Sequence, residues 1–116
     1  MIIKQWHIYS ANLNPGFGTE AGKTRPVLVI QSNILNKLST STIVIPITSK
    51  ILKMVADPIR LNINIENTGL IKPSALLIDQ MRAIDNIRFK EYIGTIDDMQ
   101  IPIIKQFILE ILDLHI

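Results

Sequence analysis

The sequence predicts an α+β, β-rich fold: a small, strongly bent antiparallel sheet or partial barrel with a C-terminal α-helix packed on it. Three observations predict it. The chain of 116 residues has 24 isoleucines but only six Phe, Trp and Tyr. Such a core is built from branched aliphatics, which suit strands. Short apolar runs separated by turn residues then follow one another along most of the chain. Near the C-terminus the period changes from that of a strand to that of a helix.

Residues 2–11 are rich in Ile, Trp and Tyr and form the first expected strand. Residues 12–24 read as a loop, with Pro15, Gly16, Gly18 and Gly22. A connection of that length in a compact domain is commonly functional. Residues 26–30 and 42–48 are apolar runs that fit strands covered on both faces. Pro46 cannot donate to a ladder and marks an edge, a bulge or a strand end. Residues 33–41 join the two runs and are long enough for one helical turn.

Residues 61–66 alternate apolar and polar, the pattern of a half-buried strand. Asn67, Thr68 and Gly69 close it as a turn. Residues 74–84 and 92–96 are two further expected strands. Ile104, Phe107, Ile108, Ile111 and Leu112 then share one helical face. Asp97 and Gln100 have N-cap and N3 spacing, and Pro102 either sits in the first turn or delays the regular helix by a turn.

The length fits one domain over residues 1–116. Cysteine is absent, so disulfides, thiolate metal sites and a cysteine nucleophile drop out together. Polar residues interrupt the N-terminal stretch at once, and no apolar run nears the roughly 20 residues of a membrane span. A cytoplasmic protein without membrane contact is expected. The net charge of +2 is compatible with a polyanionic partner.

Two tempting motifs fail. Gly16 to Thr24 ends like a phosphate loop in Gly22-Lys23-Thr24, but Phe17 stands where the first glycine belongs, and Pro26 opens a strand rather than a helix. His7 with His115 is a conceivable acid–base pair. A half-buried strand histidine and a helix-end cation explain them as well. Asp97-Asp98 reads as helix capping.

One ordered constellation remains. It runs through Pro15, Gly18, Glu20, Arg25, Pro26 and Val29-Ile30, then Pro46 and Thr48, then Gly69, Leu70, Lys72 and Ser74. It ends with Asp79, Gln80, Arg82, Ile84, Asp85 and Arg88. In residue type and spacing this set resembles the MazF/PemK family of toxin endoribonucleases, over nearly the full chain. Three positions depart from the family: Trp6-His7 replaces a usual Gly-Asp, Ala21 stands in the loop where glutamine is frequent, and Leu77 stands where plasmid-borne relatives have arginine.

The resemblance implies the SH3-like partial barrel of MazF, PemK and CcdB proteins. It implies a toxin that cuts single-stranded RNA without metal or other cofactor. The 2′-OH would attack, giving a 2′,3′-cyclic phosphate and a 5′-OH. A guanidinium suits the phosphorane, because it is always charged and its fork matches two phosphoryl oxygens. The catalytic pair implied is Arg25 and Thr48, with Glu20 supporting the loop and available as a proton acceptor. Lys23, Lys50 and Lys53 are expected phosphate contacts, and Ser49 and Asp79 lie beside them in the RNA-binding set. Phe17 can stack on a base or pin the loop, and Thr19 and Gln80 can read base edges. Asp85 and Arg88 are expected to be structural, as a turn and its ion-pair partner.

A homodimer and a cognate acidic, MazE-like antitoxin are the partners implied. The antitoxin is expected to cover residues 12–24, Arg25 and residues 49–54. Two other functions stay open on the sequence alone: a CcdB-like gyrase poison, and a non-catalytic RNA- or protein-binding module on the same fold.

Overall fold

The computed structural model describes residues 1–18, 22–50 and 60–114. Among them are seven strands: β1 (His7–Asn12), β2 (Thr24–Val29), β3 (Ser41–Thr48), β4 (Arg60–Asn62), β5 (Ala75–Leu77), β6 (Arg82–Asp85) and β7 (Phe89–Thr95). Two helices join them, α1 (Asn33–Leu38) and α2 (Ile101–Ile111). The sheet runs β4-β5-β3-β2-β1-β7, with β6 also on β3, and every pairing is antiparallel.

Side-chain alternation divides the core between the two faces. Ile8, Leu28, Ile45, Ile47 and Leu76 face α2 and are buried with its Ile104. Tyr9, Ala11, Val27, Val29, Val44 and Leu77 form a second cluster. The expected bent sheet with a terminal helix is therefore the observed fold, and the sheet is not closed.

Several elements differ from the sequence reading. Strand β1 begins at His7, not at residue 2. Trp6 has a φ of 67°, a left-handed conformation that no strand residue adopts. The preceding segment is held by the Tyr9 hydroxyl, which accepts from Lys4 N and donates to Ile2 O, both at 3.0 Å.

The expected strand over residues 61–66 is a ladder only as β4, Arg60–Asn62. Its alternation is nevertheless real: Ile63 is buried while Asn62, Asn64 and Glu66 are exposed. Beyond Asn62 one backbone bond continues towards β5, from Ile63 N to Ser74 O at 2.8 Å, while the Gln100 side chain takes groups on the opposite flank. Gln100 accepts from Asn64 N and donates to Asn62 O, each at 2.9 Å. Gln100 therefore reaches across to this segment, whereas Asp97 caps the 3₁₀ turn before α2 through Met99 N at 3.0 Å. The regular helix begins one turn later, at Ile101, with Pro102 in its first turn.

The expected strand over residues 74–84 is two strands, β5 and β6, separated by a 3₁₀ turn at Ile78–Gln80. Both pair with β3. Ile47 faces Leu76, yet Val44 faces Arg82, so three extra residues bulge out opposite Ile45 and Pro46. Pro46 is thus a bulge proline within β3, at the one place where this flank of the strand has no ladder to serve. Strand β7 is longer than the expected 92–96, and register shifts against β1 accommodate it.

The expected turn at Asn67 to Gly69 is present, with φ values of 63° at Asn67 and 87° at Gly69. It packs against β7. A Cβ added to Gly94 would collide with the Thr68 carbonyl, and one on Gly69 with the Ile93 carbonyl. Two backbones approach closely here, which only glycine permits. His7 lies in β1 against Tyr92, ring centroids 5.6 Å apart. Partial burial, and then the charge of Lys4, lower its pKa below the usual value. His115 lies outside the described residues. No helix among the described residues is long and apolar enough to cross a membrane.

Gly94→Ala is expected to destabilise the fold by about 1–3 kcal/mol through overpacking. Thermal unfolding followed by circular dichroism should show a Tm lower by about 4–12 °C.

Candidate RNA-binding cleft

The β2–β3 register opposes Val27 with Pro46, Leu28 with Ile45 and Val29 with Val44. Continued by two residues, it sets Arg25 opposite Thr48. Both side chains then stand on the Val27 face of the sheet, because side chains alternate along each strand. Arg25 also faces Ala11 on β1, and Thr48 faces Ala75 on β5. Alanine flanks the pair on both sides, and a methyl group fills little space.

A cleft of about 330 Å³ opens at this end of the sheet. Five of the expected site residues line it: Lys23, Arg25, Thr48, Ser49 and Lys50. Leu70, Ile71, Lys72 and Ser74 also line it. Lys72 and Ser74 were visible in the sequence only as members of the ordered set, since a Lys-x-Ser step after a turn carries no chemical signature.

The remaining candidates stand elsewhere. Asp79 and Gln80 sit on the 3₁₀ bulge and are not among the cleft's lining residues. Phe17 lies in the loop, 66% exposed, and does not line the cleft either. An anchoring role under the loop does not fit that exposure. Thr19, Glu20 and Lys53 lie outside the described residues, as do residues 51–54 of the surface expected to meet an antitoxin.

Each central side chain is held by backbone. Arg25 Nε donates to the Gly22 carbonyl at 2.9 Å, which among the described residues leaves the two terminal guanidinium nitrogens for a ligand. Thr48 is only 8% exposed, and its Oγ1 accepts from Lys50 N at 3.1 Å. With that lone pair engaged, its O–H has no acceptor among the described residues and can donate to a ligand. The described lining residues include four cations, Lys23, Arg25, Lys50 and Lys72, and no carboxylate. Such a cleft selects anions.

The loop over residues 12–18 is fastened from below. Lys23, at a φ of 64°, donates its N–H to Asn14 Oδ1 at 2.6 Å, and its carbonyl accepts from Leu13 N at 2.8 Å. Arg88 Nη1 donates to the carbonyls of Asn12 and Asn14, at 3.0 and 2.6 Å. Asp85 instead accepts from Ile87 N at 3.0 Å. The expected Asp85–Arg88 ion pair is therefore replaced: among the described residues, Arg88 is bound to the loop's backbone. The loop carbonyls offer it two short acceptors at once, which one exposed carboxylate does not outweigh.

Residues 4–112 match the family described as PemK-like, MazF-like toxin of type II toxin-antitoxin system. The chain belongs to that family. This family member is 40% identical over 98 residues to endoribonuclease EndoA of Bacillus subtilis (strain 168), covering 84% of each chain. Its fold superposes on that of MazF (Form-I) from Deinococcus radiodurans with a TM-score of 0.82 at 20% identity, covering 98% of this chain and 99% of the other. The MazE–MazF structure (Form-II) from the same organism gives a TM-score of 0.78 at 19% identity, over 99% of both chains.

Arg88→Ala should release the loop. Loss of a charged donor bound to two carbonyls is expected to cost about 1.5–3 kcal/mol, measured by urea denaturation. Limited proteolysis should move to residues 12–18.

Proposed function

We propose that this chain is the toxin of a type II toxin–antitoxin system and acts as a sequence-selective endoribonuclease on single-stranded RNA. The observation that carries the reading is that Arg25 and Thr48, at the ends of β2 and β3, line one cleft together with Lys23, Lys50 and Lys72. Its likeness to an endoribonuclease at 40% identity supports it. That likeness also favours RNA cleavage over a gyrase poison or a non-catalytic module.

The reaction follows from the chemistry of the groups. The 2′-OH of the substrate attacks the adjacent phosphorus. A bond from 2′-O to phosphorus forms, the bond from phosphorus to 5′-O breaks, and a 2′,3′-cyclic phosphate and a 5′-OH result. One proton leaves the 2′-OH and one is gained by the 5′ oxygen. In the phosphorane the non-bridging oxygens gain negative charge. The free guanidinium nitrogens of Arg25 stabilise that charge, and the Thr48 O–H donates to the same oxygens. Because Nε is tied to Gly22 and Oγ1 to Lys50, neither side chain needs to reorganise as charge develops. The chain's own cations supply the charge compensation, so the cleavage is metal-independent in this reading. Glu20 is the candidate proton acceptor, because arginine is a poor base.

The protein acts in the cytoplasm, where its substrate is. It works as a homodimer, and the apolar surface around α1 supports that state. Helix α1 buries none of its residues; Ile34, Leu35 and Leu38 are exposed, as are Met1, Ile2 and Ile87. Exposed apolar side chains in such number mark an interface. A cognate acidic antitoxin silences it, matching the cations of the cleft.

Incubation with a long single-stranded RNA in EDTA should yield discrete fragments with 5′-OH ends. Arg25→Ala should slow cleavage about a hundred- to a thousandfold with the fold intact. Thr48→Ala should slow it less, by about tenfold, because a neutral hydroxyl contributes less than a charge. Near-normal turnover in a folded Arg25→Ala protein defeats the assignment. In sedimentation at micromolar concentration the wild type should run as a dimer, and Leu38→Glu should shift it to monomer.

A further inference from the structure

Residues 70–74 form a wall of the cleft on the far side of Thr48. Ser74 is 5% exposed. Its hydroxyl donates to the Lys72 carbonyl at 2.8 Å, and its own carbonyl accepts from Ile63 N at 2.8 Å. The backbone carrying Lys72 is therefore fixed at both of these points, while the Lys72 side chain is exposed.

The cations of the cleft fall in strand order. Lys23 and Arg25 stand at the start of β2, Lys50 just past the end of β3, and Lys72 just ahead of β5. Strands β2, β3 and β5 are neighbours in the sheet and antiparallel, so these three termini share one end. Adjacent strands lie about 4.8 Å apart. Positive charge thus recurs at intervals along a line that crosses the strand ends. Crowded like charges repel one another, and no carboxylate among the described lining residues offsets them. A ligand with a single phosphate at Arg25 and Thr48 leaves Lys72 unmatched. A ligand with successive phosphates does not.

We propose that Lys72 binds the phosphate next to the scissile one, so that RNA crosses the strand ends in the order β2, β3, β5. This rests on the reading of the cleft as an RNA-cleaving site. Lys72 contributes to binding and not to the bond-breaking step, so its effect falls on KM and leaves kcat near its wild-type value.

The test is a cycle between protein and substrate. The substrate is a short oligoribonucleotide with one cleavage sequence, found first by sequencing the ends cut in a mixed RNA pool. Two versions carry a neutral methylphosphonate in place of one phosphate, one step 5′ or one step 3′ of the scissile bond. In the wild type, one of the two replacements should raise KM about three- to tenfold, the scale of a single phosphate contact at a partly exposed site. Lys72→Ala should raise KM on the all-phosphate substrate by a similar factor. On the sensitive methylphosphonate substrate, Lys72→Ala should cost nothing more. Lys105→Ala, on the exposed side of α2, serves as the control and should leave KM unchanged. If Lys72→Ala leaves KM unaltered, or if its effect adds fully to both replacements, Lys72 does not hold that phosphate. If the wild type cuts none of the pool, the reading of the cleft itself fails, a separable result.

Discussion

Strand β3 is flanked on both sides, and the placement of the cleft follows from how those two flanks differ. On one side it keeps unbroken register with β2 through Val44, Ile45 and Pro46. On the other it takes β6 and then β5, with the three residues Ile78–Gln80 pushed out between them. The first flank brings Arg25 to Thr48. The second brings Ala75 beside Thr48 and the Lys72 segment to the cleft wall. A proline in the middle of a central strand is normally costly. Here it falls where one flank has no partner, so the missing N–H leaves no acceptor unmatched in the ladder.

The sequence exposed the periods better than the pairings. Residues 61–66 do alternate in burial, as their pattern indicates, yet only β4 makes a ladder, and the flank facing away from β5 is held at Asn62 and Asn64 by the Gln100 side chain from a distant part of the chain. A long-range side chain of that kind leaves no local signal. The interruption at Ile78–Gln80 was hidden for a different reason. Apolar Leu76, Leu77 and Ile78 precede Asp79 and Gln80 and Met81 follows them, so the two polar residues read as an exposed stretch of one strand and do not reveal three extra residues. The C-terminal helix was legible because its period of 3.6 persists over three turns and Pro102 marks its entry.

The site was legible in type and only partly in place. Arg25, Thr48, Lys23, Ser49 and Lys50 lie at strand ends that the apolar runs delimit, and all five line one cleft. Asp79 and Gln80 belong to the same ordered set but follow the bulge away from that lining. The family resemblance fixes their spacing along the chain, not the direction of the turn they occupy. At position 6 the chain carries a tryptophan in a left-handed conformation. That backbone costs a side-chain-bearing residue about 1–2 kcal/mol. The indole offsets the cost by packing on the α2 side of the core, while Trp6 N donates to Val29 O at 2.7 Å and Trp6 O accepts from Ile96 N at 3.0 Å.

The two margins of the sheet bear on colloidal behaviour. Strand β7 ends the sheet on one side, and an isoleucine-rich chain with a bare outer strand invites other copies to add themselves in register. The turn at Asn67 to Gly69 lies against the core face of β7 at Gly94 and leaves that margin to its own side chains. The first half of β7 displays Lys90, Glu91 and Tyr92 to solvent, so an incoming strand must desolvate two charges. At the opposite margin β4 has only three residues, too short a template to seed growth. Charge at one margin and brevity at the other thus disfavour growth of so aliphatic a sheet into a fibre.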